Sequence, residues 1–187
     1  MKIDEQSFGP GHPNVAGDLN DLAGLLKATN RLVETEPLYR RALAIDEASF
    51  GPLHPNVAAD LNSLAQLLQV TDRLEEAEPL MRRALKIDEQ SFGPDHPNVA
   101  RDLNNLAGLL RVTNRLEEAE PMSRRQLDIL LQFTAATGHE HPHLRQAIFN
   151  YAVLLGEMGC SSAQIRAQVK RIGRLFDMQI GFGEQRK

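Results

Sequence analysis

Three alternating histidines are the residues of this chain best suited to metal chemistry. His139, His141 and His143 occupy every second position of the segment GHEHPHL, and neutral imidazoles bind zinc or nickel. His141, however, begins a His-Pro pair that also occurs three times earlier in the chain, and the sequence offers no further ligand at a zinc-site spacing. We therefore interpret His141 as a helix-entry residue and expect no metal site.

The other reactive side chains also favour a structural role. Cys160 is the only cysteine, so no intramolecular disulfide or thiolate cluster can form. A nucleophile role would need a base and an orienting group, which the sequence alone does not place. The acidic pairs Glu75-Glu76 and Glu117-Glu118 fall at predicted helix starts, where negative charge is favourable. The sequence contains no glycine-rich phosphate loop and no nucleophile motif. We expect no catalytic residue, no metal and no cofactor.

Charge and hydropathy narrow the choice of partner. The net charge of the 187 residues is −4, and Lys and Arg are spread along the chain, so the sequence has no basic stripe of the kind that neutralises nucleic-acid phosphates. The apolar runs are far shorter than the ~20 residues that span a bilayer, and the start of the chain does not resemble a signal peptide. These features predict a cytoplasmic protein that binds neither nucleic acid nor membrane.

A repeat of 42 residues organises the chain. The string HPNVA starts at His12, His54 and His96, and the related string HPHLR starts at His141. Residues 12–53 and 54–95 agree at 30 of 42 positions, which indicates duplication of one structural unit. The predicted organisation is the tail of a truncated preceding repeat (1–11), two full repeats (12–53 and 54–95), a third repeat with a three-residue insertion (96–140) and a degenerate C-terminal capping repeat (141–187).

Each repeat is predicted to form a pair of helices. In the second repeat, apolar residues fall on one helical face after a His-Pro pair, which predicts helix A at about Pro55–Val70. Helix B is expected to begin after Asp72, which would form a capping-box-like pair with Glu75, and to end before the following Phe-Gly-Pro. Asn114 and Glu117 form the corresponding pair in the third repeat.

Proline recurs inside each predicted helix B, at Pro37, Pro79 and Pro121. Because proline removes a hydrogen bond and pushes on the carbonyl four residues back, we expect a bend in each of these helices.

A final helix is predicted at roughly Ala163–Met178, after a break at Gly159–Ser162. Its apolar residues recur at helical spacing, so this stripe should pack against Tyr151 and Leu155 and close the stack; its members are Ile165, Val169, Ile172 and Phe176.

The helix pairs resemble the tetratricopeptide repeat, in which helix A carries large residues around a Leu-Gly/Ala pair and helix B carries Ala, an aromatic residue and Ala. The second repeat has the matching residues at Leu61, Leu64, Ala65, Leu68, Ala77, Met81 and Ala84. The third repeat departs from the pattern at Ser123 and Gln126. The 42-residue period, the string LNNLA and the RLEEAEP segments resemble the kinesin-light-chain-like branch in particular.

This resemblance implies an all-α, right-handed superhelical solenoid of antiparallel helix hairpins, with a concave groove lined by the A helices. The stripe of helix A opposite its core face would then meet a ligand. The candidate peptide-binding residues are Asn20, Lys27, Asn62, Gln66, Gln69, Arg101, Asn104, Asn105 and Arg111. Side-chain amides can both donate to and accept from a peptide main chain, and the cations predict a preference for acidic ligands. Alternatively, the asparagines bond between adjacent A helices and set their register.

Two functions follow from this organisation. The first is a protein–protein interaction module that binds a peptide or a partner protein in the groove. The alternative is a structural, self-associating segment of a longer repeat array, because Lys2–Pro10 repeats Lys86–Pro94 without change. A solenoid that ends within a repeat exposes the apolar side of the next hairpin, so homo-oligomers would form through the N-terminal end. An enzyme is not expected.

Overall fold

The computed structural model describes the backbone of residues 5–174, and the side chains from Ser7 onward. Within this range the secondary structure is entirely helical. The chain divides into two compact units, with unit 1 ending at Pro94 and unit 2 beginning at Asp95. Unit 1 contains α1 (Glu5–Phe8), α2 (Pro13–Ala28), α3 (Leu32–Phe50), α4 (Pro55–Val70) and α5 (Leu74–Phe92). Unit 2 contains α6 (Pro97–Val112), α7 (Leu116–Thr137), α8 (Leu144–Glu157) and α9 (Ser162–Arg174).

Antiparallel hairpins stack within each unit. In unit 1, α2 pairs with α3 and α4 pairs with α5, and α3 also packs against α4. In unit 2, α7 packs against both α6 and α8, and α9 covers α8. The bounds of α4 confirm the predicted helix A of the second repeat.

A histidine begins each of the three full A helices. His12, His54 and His96 have extended backbones, and the Nδ1 atom of each accepts a hydrogen bond from the backbone N–H two residues later. The imidazole thus satisfies one of the backbone donors that a helix start leaves unpaired, and proline takes the next position without losing a bond. In unit 1 the ring of His54 also stacks on Phe50, with 4.5 Å between centroids. The sequence predicted an entry residue here, but not this cap.

The predicted capping boxes at the start of helix B are wrong. Asn30, Asp72 and Asn114 have φ of 60°, 61° and 57°, and they end the A helices in the left-handed conformation. In the second repeat the N–H of Asp72 donates to the carbonyl of Gln69, and that of Arg73 donates to Leu68. This pair of bonds is a Schellman motif. Asparagine and aspartate tolerate the left-handed region, so they serve as C-terminal caps of helix A.

Helix B instead begins with an arginine–glutamate pair on its surface. Arg73 has no side-chain capping bond to the helix, and its guanidinium Nε lies 2.7 Å from the Glu76 carboxylate. Arg31 with Glu34 and Arg115 with Glu118 repeat this contact in the first and third hairpins. The RLEEAEP segment therefore encodes an ion pair one turn into helix B, where acidic side chains also favour the helix dipole.

Each full helix B continues through its internal proline, at Pro37, Pro79 and Pro121. The predicted bend at these positions stays a prediction.

Small and branched residues fill the interior of each hairpin. Ala42 and Ala84 are completely buried, as the repeat pattern requires for close helix contact. In the second hairpin Ala84 packs into a cluster with Val57, Ala58, Leu61 and Ile87. A larger side chain at this site would have to displace well-packed neighbours.

The last described helix, α9, buries two of the four residues of the predicted apolar stripe. Val169 and Ile172 are completely buried, and Gln168 donates a 2.7 Å hydrogen bond to the Tyr151 hydroxyl on α8. Ile165 is only partly buried. Phe176, the fourth member of the predicted stripe, lies outside the described residues. None of the described helices is both long and apolar enough to cross a membrane.

Candidate binding surface

An asparagine and an aspartate join the two A helices of unit 1. Asn20 on α2 donates from Nδ2 to Oδ1 of Asp60 on α4 over 2.6 Å. Asn20 is only partly buried, whereas Asp60 is 2% exposed. At this position the amide fixes one A helix against the next, as the alternative interpretation of the asparagine stripe predicted.

Burial changes the proton affinity of this aspartate. Removal from solvent raises the pKa of Asp60 to about 7, and the nearby carboxylates of Asp46 and Glu47 on α3 also raise it, while the bond from Asn20 opposes the shift. The Oδ2 atom of Asp60 and the Oδ1 atom of Asn20 are buried without a hydrogen-bond partner among the described residues. A proton on Asp60 would give this carboxyl a donor, which an ionised carboxylate lacks.

Lys27 lies further along α2 and carries positive charge at the surface of unit 1. Its Nζ donates to the side-chain oxygen of Gln66 on α4 over 3.3 Å, and partial burial lowers the pKa of the ammonium. This is the one polar contact described for the ammonium, and the amide that accepts it is neutral. Lys27 and Gln66 therefore present a cationic donor between adjacent A helices that no described carboxylate neutralises.

Asn62 does not lie on an open surface. It is 4% exposed and takes part in polar contacts within the protein, so the predicted contact between its amide and a ligand would need the site to rearrange. Gln66 and Gln69 on the same helix are partly exposed. Gly24 on α2 is also partly exposed, and a Cβ added there would meet no atom within 4 Å. These positions leave room for a ligand beside unit 1.

The third asparagine is held differently. In unit 2 the Oδ1 atom of Asn104 on α6 accepts one bond from Asn150 on α8, at 3.2 Å, and a longer one from Gln126 on α7, at 3.4 Å. The fourth repeat has Ala147 where the earlier repeats have aspartate, so the carboxylate that Asn20 meets in unit 1 has no counterpart on α8. Asn105, the next residue of α6, is partly exposed and has a polar contact of its own.

Both predicted arginines of unit 2 lie beside carboxylates. Arg101 Nε is 3.3 Å from Oδ1 of the fully buried Asp102, and Arg111 Nε is 3.3 Å from Oε2 of Glu157. These acidic groups offset part of the positive charge that the arginines offer to a ligand. Lys27 in unit 1 thus has the better electrostatic position for an acidic group.

Two cavities in unit 2 meet at the Asn104–Asn150 bridge. One, of about 110 Å³, is lined by residues that include Gly108, Arg111 and Ser123. The other, of about 170 Å³, lies towards the N-terminal ends of α6 and α8 and reaches Gln126. The polar character of this region was not predicted, although the departures from the repeat pattern at Ser123 and Gln126 were the signal for it.

The histidine segment forms part of a helix entry. The Nδ1 atom of His141 accepts from the backbone N–H of His143 over 3.2 Å, as its counterparts do at the earlier A helices. Burial lowers the pKa of His141, and the neighbouring His143 contributes to this shift. The His139 ring nitrogen lies 2.9 Å from the carbonyl of Thr137. Among the described residues, no group of three or more His, Cys, Asp and Glu is arranged to hold a metal ion.

Comparison with solved structures identifies the same arrangement of helices. BtubC (BKLC) from P. vanneervenii is similar over 94% of this chain and 70% of its own, with 23% identity and a TM-score of 0.75. The nearly identical TPR-like repeats of a Podosopora anserina kinesin-light-chain protein match over 94% of this chain and 81% of their own, with 19% identity and a TM-score of 0.71. A single-substitution variant of those repeats matches with 19% identity and a TM-score of 0.72, over 94% of this chain and 80% of its own. No curated protein sequence gave a significant match.

Sequence signatures of one family cover most of the repeats. Tetratricopeptide repeat signatures match residues 19–56 and residues 59–132. Repeats of this family serve as scaffolds for protein–protein interaction. The chain therefore belongs to the tetratricopeptide repeat family, and its hairpins have the fold of kinesin-light-chain-like repeats.

Proposed function

We propose that this protein binds an extended peptide or a loop of a partner protein along the exposed faces of its A helices. The observation that carries the proposal is the Lys27–Gln66 pair, a positive donor held between two A helices with no described acidic neighbour. The open space above Gly24 lets the backbone of a ligand come close to α2. In unit 2 the surface at Asn104 and Arg111 would supply neutral amides and a partly neutralised cation.

The acidic preference should depend mainly on Lys27. The full chain is applied to an array of immobilised nine-residue peptides, and enrichment of Asp and Glu among the bound peptides is scored. Lys27→Gln should remove most of this enrichment. Arg111→Gln removes the same formal charge and is the matched control, but it should have a smaller effect because Glu157 already opposes that arginine. Equal effects of the two substitutions, or none, would contradict this assignment.

Space above α2 provides a test that does not depend on charge. Gly24→Leu places a bulky side chain on the proposed binding face, where a Cβ meets no atom, so the hairpin should fold normally. Ala44→Leu adds an exposed leucine to α3 of the same hairpin and serves as the control. We expect peptide binding to weaken in the Gly24 variant only. Unchanged binding in both variants would place the ligand elsewhere.

Self-association is the second candidate, and one observation favours it. Leu25 on α2 is 60% exposed, whereas Leu67, its counterpart on α4, is 1% exposed in a hairpin that packs against α3. Association through the α2 face would bury this leucine. The mass of the protein in solution, measured by light scattering after gel filtration, should then exceed that of a monomer and fall in Leu25→Glu. A monomeric mass at high protein concentration would dismiss self-association.

A further inference from the structure

The strongest unassigned feature of unit 2 is a polar interior where the repeat pattern has apolar residues. Ser123 and Gln126 on α7 occupy the positions of Met81 and Ala84 in the second hairpin. They are 6% and 5% exposed, so they are buried like the residues they replace. Burial of a polar group is unfavourable unless it finds a hydrogen-bond partner.

Only some of the polar atoms in this interior have a hydrogen-bond partner within the protein. Asn104 Oδ1 accepts from both Asn150 and Gln126, which uses a single oxygen for two amide donors. Among the described residues, no hydrogen bond is formed by the hydroxyl of Ser123, the side-chain oxygen of Gln126 or the Asn104 Nδ2 group. None of these three atoms is fully buried, so each stays open to solvent or to a ligand. Asn104 lines both cavities, Ser123 lines the smaller one and Gln126 lines the larger one. Each cavity is several times larger than the roughly 10–15 Å³ that one water molecule needs.

The two cavities share Asn104 and Asn150 and are together called the cleft. We propose that this cleft binds the side-chain carboxamide of a glutamine or asparagine. The groups left open in the cleft include a donor, the Asn104 amide, an acceptor, the Gln126 oxygen, and the Ser123 hydroxyl, which can be either. A carboxamide both donates and accepts, so it can pair with Asn104 and Gln126 in the larger cavity, or with Asn104 and Ser123 in the smaller one. A carboxylate has no donor for the Gln126 oxygen, and an ammonium has no acceptor for the Asn104 amide.

The charges around the cleft favour the same neutral group. Arg101 lies against Asp102, and Arg111 lies against Glu157, so each cation at the edge has an anionic neighbour. A charged ligand would lose hydration in the cleft without meeting an uncompensated opposite charge. Leu154 and Ala107 form apolar walls that suit the methylene groups of a glutamine side chain.

The inference deepens the proposed function, since it assigns one side chain of the peptide ligand to unit 2, but its test does not require a peptide. The probes are the N-acetyl, N-methylamide derivatives of glutamine, glutamate and methionine, which differ only in the side chain. Each is titrated into the full chain, labelled with ¹⁵N, and the NMR shifts of the Asn104 and Asn150 side-chain amides are followed.

The glutamine derivative should shift these amides and bind about fivefold more tightly than the methionine derivative, as expected for one net hydrogen bond. The double variant S123M/Q126A restores the residues of the second hairpin and should abolish the difference. Ser123→Ala is a milder variant that keeps the fold if the double variant does not, and it should reduce the difference.

Equal binding of the three derivatives, or no shift of the cleft amides at any concentration, would show that the cleft holds water only and overturn the inference. Persistence of the glutamine preference in folded S123M/Q126A would also overturn it. A different result would contradict the proposed function, namely that the natural protein binds no peptide on the array. The small-molecule titration can succeed or fail independently of that result.

Discussion

The buried carboxyl of Asp60 makes a contribution to stability that should be lost as the pH rises from about 4 to about 7. In the folded state the pKa of this side chain is about 7, whereas its ordinary pKa is 3.8. Between these values the unfolded chain has lost the proton that the folded chain keeps, so the free energy of unfolding falls with increasing pH. Its stabilising contribution is fully present below about pH 4 and is lost above about pH 7.

The size of the effect follows from the same two values. The slope approaches about 1.4 kcal/mol per pH unit, and the gap between 3.8 and about 7 gives a total of up to about 4 kcal/mol. Three neighbours contribute to the environment: Asp46 and Glu47 on α3 repel the ionised form, and Asn20 on α2 donates to it. Asp46 is also buried with a raised pKa, so only a comparison with a variant isolates Asp60.

Asp60→Asn removes the titrating group and keeps its shape. The new amide can still accept from Asn20 Nδ2, and it can donate to the buried Asn20 Oδ1 that has no described partner. Near pH 4 we expect the variant and the natural protein to differ little. Above pH 7 the variant should be more stable by up to about 4 kcal/mol.

The assay is urea unfolding, followed by far-ultraviolet circular dichroism at intervals from pH 4 to pH 8.5. Asp21→Asn, at an exposed position on α2, is the control for the loss of one carboxyl group. The reasoning is refuted if the difference between the natural protein and Asp60→Asn does not change with pH. It is also refuted if the variant is the less stable protein at pH 8, because the carboxylate would then be stabilised in the fold.

Three further predictions concern the hairpins themselves. Ala84→Leu should overpack a fully buried site and lower the free energy of unfolding by about 1–3 kcal/mol, seen as a lower urea midpoint. His54→Ala should cost about 1 kcal/mol through loss of the bond from the Asn56 N–H, and His54→Asn should recover most of it; equal midpoints for the two variants would argue against the cap. Truncation after Gly159 removes α9 and bares the buried Tyr151 face of α8, so light scattering should detect aggregation; a monodisperse truncated chain would contradict the capping role.

The architecture of the hairpins could be predicted from local pattern and repetition. Apolar residues at Val57, Leu61 and Leu64 recur at helical spacing, and this pattern appears in successive copies, so helix positions and pairing followed without a structure. The start of α4 was correct because His-Pro acts over two adjacent residues. The predicted cap of α5 was wrong, because Asp72 can cap either the end of α4 or the start of α5. Only the backbone conformation shows that it ends α4.

The exposure and charge of the candidate binding residues could not be predicted from the sequence, because they depend on contacts between residues about 40 positions apart. Asn20 and Asn62 have the same residue type and the same place in the repeat, yet one is partly exposed and the other is buried. Arg111 was predicted to recruit acidic ligands, but Glu157 lies beside it, whereas Lys27 meets only a neutral amide. The helical period determines which face a side chain occupies, because it depends on the local backbone alone. Tertiary packing decides which partner reaches that side chain, how much solvent remains around it and which charges stay available to a ligand.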